Sequence, residues 1–272
     1  MTQARVPLRS ERVLTIVPLL VLAAVCWGLV LWRMGDAAGG PGADPGPIGF
    51  FTAMWTVMMA AMMLPSAWPT VVVYRRLQAA RRERGDNAVR IGPALLVVGY
   101  LGAWTVAGLV GFVVLKAGRG LEIDVLSWDR GGPLLAGGVI VAAAVYQLTP
   151  LKDVCLRHCR GPFSFLLEHW RPGALGAVRM GVRHGMWCIG CCWALMAALF
   201  ALGVMSIPWM AAIAVLIAVE KLLPWRRVAT TFVTVALLAL GLAVALVPEQ
   251  VPGLMAPGPA AMHDMNTSIG PT

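Results

Sequence analysis

Charge is what this chain has least of. Asp, Glu, Lys and Arg make up 13% of its 272 residues, against about 25% in an ordinary soluble domain. The few charges sit in short stretches between long apolar runs, and hydrophobic residues reach 59%. That excludes a soluble domain with a large core and predicts a polytopic, all-α transmembrane bundle. Other absences narrow the chemistry. The sequence has no phosphate-binding glycine-rich loop, no His-Glu-x-x-His and no pair of carboxylates inside its apolar runs. Nucleotide hydrolysis, zinc-peptidase chemistry and carboxylate-driven proton pumping therefore lack their usual groups, which favours a binding protein over an enzyme without deciding between them. No long repeat is present. Met54-Trp55-Thr56-Val57 is only faintly echoed by Met186-Trp187-Cys188-Ile189.

The net charge of +9 does not call for nucleic acid, because the basic residues flank apolar runs and topology explains them. Arg5, Arg9 and Arg12 precede the first run, Val13–Trp32. That run exceeds the roughly 7–15 residues of a signal h-region. Leu22-Ala23-Ala24-Val25-Cys26 fits a lipoprotein box poorly because Val25 is too large. An uncleaved first span is expected.

Seven runs approach the ~20 residues that cross a bilayer: Val13–Trp32, Phe50–Tyr74, Ile91–Leu115, Pro133–Leu148, Met186–Leu202, Ile207–Leu223 and Val228–Val247. The fourth, fifth and sixth are short. With the N-terminus inside, 18 of the 22 Lys and Arg residues fall on the inner side, so the positive-inside rule predicts seven spans, N-in and C-out. The expected organisation is a cytoplasmic N-terminus over 1–12 and a bundle over 13–247. Within the bundle lie a Met-rich span (50–74), a cytoplasmic Cys/His loop (149–185) and a Cys-rich span (186–202). A tight turn precedes Pro208. The Pro/Gly/Ala-rich tail over 248–272 is expected to be disordered and extracytoplasmic.

Against this background the soft side chains are concentrated. Five of six cysteines and three of four histidines fall between Cys155 and Cys192. On a helix, His184, Cys188, Cys191 and Cys192 share one stripe. Cys155, His158 and Cys159 lie within one turn of each other, without the adjacent Cys-His ending of c-type haem attachment. Thiolate and neutral imidazole bind Zn(II) and Cu(I), although cysteines in apolar helices also pack as small hydrophobes. His169 reads as an ordinary interfacial histidine. The second run carries Met54, Met58, Met59, Met62 and Met63 beside Pro65 and Pro69, which are expected to interrupt the helix. Thioethers favour Cu(I), and methionine is also a common core filler. Glu220 near an inner end is a candidate functional group, and Lys221 beside it can pair with it or snorkel to the interface. Gly181-x-x-x-Gly185 predicts close helix packing. Met262-His263-Asp264-Met265 in the tail matches soft-metal ligand sets.

The blocks Trp55 through Ser66, Tyr146-Gln147-Leu148-Thr149-Pro150-Leu151-Lys152 with Cys155 and Cys159, Gly181 through Trp193, and Ala218-Val219-Glu220-Lys221 resemble a bacterial family. It is known as predicted metal-binding integral membrane proteins, a domain of unknown function. The resemblance spans about Phe50 to Ala245. It implies metal binding and points to Met58, Met59, Met62, Met63, Cys155, Cys159, His184, Cys188, Cys191, Cys192 and Glu220. It also implies the bacterial cytoplasmic membrane as the location.

The leading expectation is an integral membrane protein that binds a soft metal, Cu(I) ahead of Zn(II), for transport, relay or homeostasis. Its partners would be the lipid bilayer and a metallochaperone or other membrane subunit. The alternatives are a membrane thiol–disulfide oxidoreductase using Cys188 and Cys191, and a structural or assembly subunit without metal. The clusters fall on the reducing side by charge count, which argues against the oxidoreductase.

Overall fold

The structure is a computed structural model and describes residues 8–34, 46–83, 89–120, 132–203, 206–223 and 225–251. These residues form nine α-helices: α1 (Leu8–Met34), α2 (Ile48–Arg82), α3 (Gly92–Gly120), α4 (Gly132–Gln147), α5 (Pro150–Arg160), α6 (Pro162–Glu168), α7 (Gly173–Leu202), α8 (Ile207–Leu222) and α9 (Arg226–Leu246). The fold is an all-α bundle. All seven apolar runs are helical, but by length and composition only five of the helices can cross a membrane, or six if α4 and α5 form one bent span. The count of seven falls short because α4 and α8 have 16 residues each. The outward faces of α3 and α9 carry Val98, Val106, Val110, Phe232, Val235 and Leu242, all exposed. That pattern suits lipid better than water.

Glycine sets the tightest crossing. α3 packs along α7, and a Cβ at Gly181 would collide with the Leu96 carbonyl of α3. At Gly185 it would come within 2.7 Å of the Ala103 Cβ. The Gly-x-x-x-Gly pair thus lets two backbones touch. α4 packs on α9 in the same manner, and α1 lies along α2.

Three local expectations change. The prolines do not interrupt α2, which is continuous over 35 residues. Membrane helices tolerate proline where packed neighbours hold them, and Pro65 and Pro69 sit on the stretch of α2 that is buried in the bundle core. The segment 149–185 is not a loop but α5, α6 and the first half of α7. α7 begins at Gly173 rather than near Met186, because Arg179, Arg183 and His184 continue the helix at its polar end. The tail's first residues are ordered: Pro248–Gln250 is a short 3-10 turn, and Val251 packs into the core. Residues 252–272, with Met262, His263, Asp264 and Met265, lie outside the described residues.

The Gln-Leu-Thr-Pro motif makes the bend that shapes the site. α4 and α5 meet at 68°. Pro150 begins α5, where its missing N–H costs nothing. The Thr149 hydroxyl donates to the Tyr146 carbonyl at 2.7 Å and accepts from the Lys152 amide at 3.4 Å. The turn swings α5 across α7. On α5, Lys152, Cys155 and Leu156 are buried and Cys159 is half-buried, the i, i+3, i+4, i+7 face expected of an amphipathic helix. Asp153 and Arg157 pair on its outer side.

Candidate metal centre

Three sulfurs from two helices converge. Cys159 of α5 and Cys188 and Cys191 of α7 place their Sγ atoms within 4.8 Å of one another. Cys191 Sγ is 3.7 Å from Cys159 Sγ and 3.3 Å from Cys192 Sγ. An ion about 2.3 Å from each sulfur would hold tetrahedrally placed sulfurs about 3.8 Å apart. The triad therefore needs to close by only about 1 Å to seat a thiophilic ion. Cys188, Cys191 and Cys192 are at most 2% exposed, so Cys159 is the accessible edge. All six cysteines are free thiols.

Local packing explains why α5 comes so close. A Cβ at Gly190 would lie 2.7 Å from Cys155 Sγ, so the glycine is the seat for that side chain. Cys155 packs against α7 at this point, and Cys159, one turn on, joins Cys188 and Cys191. The Tyr146 hydroxyl donates to the Gly190 carbonyl at 2.5 Å and ties α4 to the same point.

Polar groups surround the sulfurs. Lys221 Nζ of α8 lies 2.9 Å from Cys188 Sγ and 3.3 Å from Ser66 Oγ of α2. An ammonium can only donate, so Cys188 accepts. The Tyr100 hydroxyl of α3 is 3.0 Å from the same sulfur. Metal-binding cysteines act as thiolates, and the Lys221 charge offsets part of the negative charge such a set carries.

Of the two roles open to Lys221 in the sequence, the structure shows neither: it does not pair with Glu220, and it turns to Cys188 inside the bundle. Adjacent helix residues point about 100° apart and do not share a partner. Glu220 instead takes both oxygens to Lys152 Nζ, at 2.6 and 2.7 Å, with the two side chains 2% and 1% exposed. Arg160 adds bonds to the Glu220 and Leu223 carbonyls. The result is a clamp between α5 and α8, and hence between Cys159 and Lys221.

The remaining sequence candidates lie around the triad. His184 is buried one turn before Cys188. Its Nε2 is 3.3 Å from Thr70 Oγ1, its Nδ1 has no partner, and the Tyr100 and Phe165 rings flank it. It is not among the three grouped ligands. His158 is drawn away, stacked on Trp187 at 4.1 Å with Nδ1 on the Val154 carbonyl. Met58, Met59, Met62 and Met63 are buried in the core that contains Cys188, Cys191 and Cys192, and half-buried Met54 packs against it. His169 caps α6 and stacks on Phe165. Sequence reasoning missed Tyr100, Ser66, Lys152 and the true role of Lys221. The angular rule for neighbouring helix residues, applied to Glu220 and Lys221, would have separated them.

A family model described as copper chaperone, PpoB2, matches residues 52–244. The chain belongs to this family. The match runs from the Met-rich part of α2 to the end of α9 and takes in every residue of the sulfur site. No curated protein and no solved structure matches the chain.

Proposed function

We propose that the protein is a membrane copper chaperone that holds Cu(I) between α5 and α7. The observation that carries this reading is the buried Cys159–Cys188–Cys191 triad, within 4.8 Å and drawn from two helices. Thiolate sulfur prefers Cu(I) among available ions, with Zn(II) next. The copper chaperone family favours the former. Cys192, His184 and Glu220 support the site, Cys155 spaces it, and His158 lies at its rim. The methionines of α2 extend it. Trp55 stacks on Phe200 of α7, and Ser66 and Thr70 reach Lys221 and His184. Met59, Met62 and Met63 fall on or beside this same face of a 3.6-residue helix, and Met54 and Met58 lie further round. Weaker thioether sites leading to a thiolate site suit a relay of cargo through the bundle.

The bundle lies in the bacterial cytoplasmic membrane with seven crossings, N-in and C-out, α4 and α8 serving as short spans. The basic ends of α2, α5 and α7 support this orientation. The sulfur site then opens inward through Cys159, where a soluble metallochaperone or a membrane subunit exchanges copper by thiolate substitution. The cytoplasmic side keeps thiols reduced, which favours metal over disulfide chemistry.

The test is titration of the purified protein with Cu(I) against a competing chelator, with elemental analysis. The expected result is about one or two tightly held Cu(I), lost when Cys188, Cys191 and Cys192 are all replaced by Ser. Unchanged stoichiometry in the folded triple variant overturns the reading. Zinc in the isolated protein, retained against copper, makes it a zinc site.

A further inference from the structure

Away from the sulfur site, α1, α2 and α3 border a half-open cavity of about 1210 Å³, open to the outside along Leu22 and Val98. It exceeds the roughly 300–1,000 Å³ of an ordinary small-molecule pocket, and its lining is sorted by chemistry. One end carries Arg75, Arg76, Arg82 and Arg90. The other is walled by Leu22 of α1, Val71 of α2, and Val98 and Leu101 of α3. From Arg90 to Leu101 the helical rise is about 16 Å, so cationic mouth and apolar floor are well separated.

The arginines are not equally occupied. Arg75 spends one nitrogen on α1, donating to Thr15 Oγ1 at 2.8 Å and the Leu14 carbonyl at 3.4 Å. Arg76 is different: its Nε and Nη2 are buried without a hydrogen-bond partner. A guanidinium never gives up its charge, and buried donors rarely stay unmade. Among the described residues, the lining has one acidic side chain, Glu83, against four arginines.

We infer that this cavity is a binding site for an anionic phospholipid, its phosphate held by Arg76 and the neighbouring arginines and its acyl chains lying against Leu22, Val98 and Leu101. A free anion satisfies the mouth but leaves the long apolar floor empty. A zwitterionic lipid fills the floor but brings its own cation to the arginines. Basic pockets between transmembrane helices take acidic headgroups for this reason. The inference rests on the membrane placement proposed above and not on copper. The lipid would pin α1 to the α2–α3 pair on the side of α2 opposite the sulfur site.

The experiment uses the full chain, extracted in mild detergent, stripped of lipid and examined by native mass spectrometry and thermal unfolding. The probes are phosphatidylglycerol, phosphatidylcholine and inorganic phosphate. Phosphatidylglycerol is expected to be retained and to raise the unfolding temperature, while the other two do neither. Arg76→Gln and Arg90→Gln should each weaken retention about five-fold. Leu22→Trp, which fills the floor and keeps every charge, should weaken it as well. Equal retention of the two lipids, protection by inorganic phosphate alone, or wild-type retention in all three folded variants overturns the site. The headgroup comparison needs no variant, so it decides the matter even if a substitution fails to fold. Resistance of the chain to carbonate extraction from membranes separately tests the placement on which the inference stands.

Discussion

The cysteine face of α7 and the methionine face of α2 are both rich in sulfur, both buried and packed into one core, yet they are built differently. The α7 cysteines have hydrogen-bonding company: Cys188 meets Lys221 and Tyr100, and Cys191 meets Cys159 and Cys192. The α2 methionines are buried in or packed against the core cluster, with no side-chain hydrogen bond of their own among the described residues. A thiolate needs charge compensation in a bilayer, and a thioether needs none. The first face is therefore anchored by a clamp and a lysine, whereas the second is free to be adaptable packing. Density of soft atoms alone does not make a strong site.

The largest test strikes the clamp, which the cysteine side has and the methionine side lacks. Glu220→Gln leaves the Lys152 ammonium buried and unpaired. It is expected to destabilise the protein by roughly 3–5 kcal/mol, read as a lower unfolding temperature in detergent. Replacing both partners together, Lys152→Met with Glu220→Leu, should restore much of that loss. No recovery in the double variant would mean that the pair does more than hold α5 to α8. Next in size is the distinction within α5. Cys159→Ser should weaken Cu(I) binding by more than about 100-fold, whereas Cys155→Ser, at the spacer, should stay within about 10-fold. Equal losses would merge the two and erase the difference between ligand and spacer. Smaller again is Lys221→Gln, expected to lower Cu(I) affinity about 10- to 100-fold without changing stoichiometry, as loss of an outer partner does.

The bundle was legible in the sequence because its cause is local: apolar runs make helices in lipid whatever their neighbours. The stripe on α7 was legible because three- and four-residue spacing fixes a face. What escaped reading is what depends on where α5 goes. His158 and Cys159 are adjacent in sequence, and only the 68° bend at Thr149-Pro150 decides that the cysteine turns inward and the histidine stacks on Trp187. Lys152, in a basic segment, reads as a topology signal, and its burial against Glu220 follows from the same bend. Tyr100 carries no motif and reaches Cys188 only because glycines let α3 touch α7. Spacing names the ligands on one helix, while the partners from other helices come from packing.

The smallest expected effect tests the methionine side. Met→Leu conserves volume and usually costs less than about 1.5 kcal/mol, so thioether function can be removed with little change in the fold. Met62 and Met63 lie one turn from Ser66, itself 3.3 Å from Lys221, and so stand next to the sulfur site. Met54 is half-buried and lies off the face that meets α7. If α2 relays copper, Met62→Leu with Met63→Leu should leave equilibrium Cu(I) stoichiometry intact and slow metal loading in stopped-flow competition several-fold, while Met54→Leu slows it less. If all three behave as wild type in loading as well as stability, the methionines are packing alone, and the contrast between the two faces becomes absolute. If the pair instead abolishes tight binding, a thioether completes the triad as a fourth ligand, and the two faces form one site.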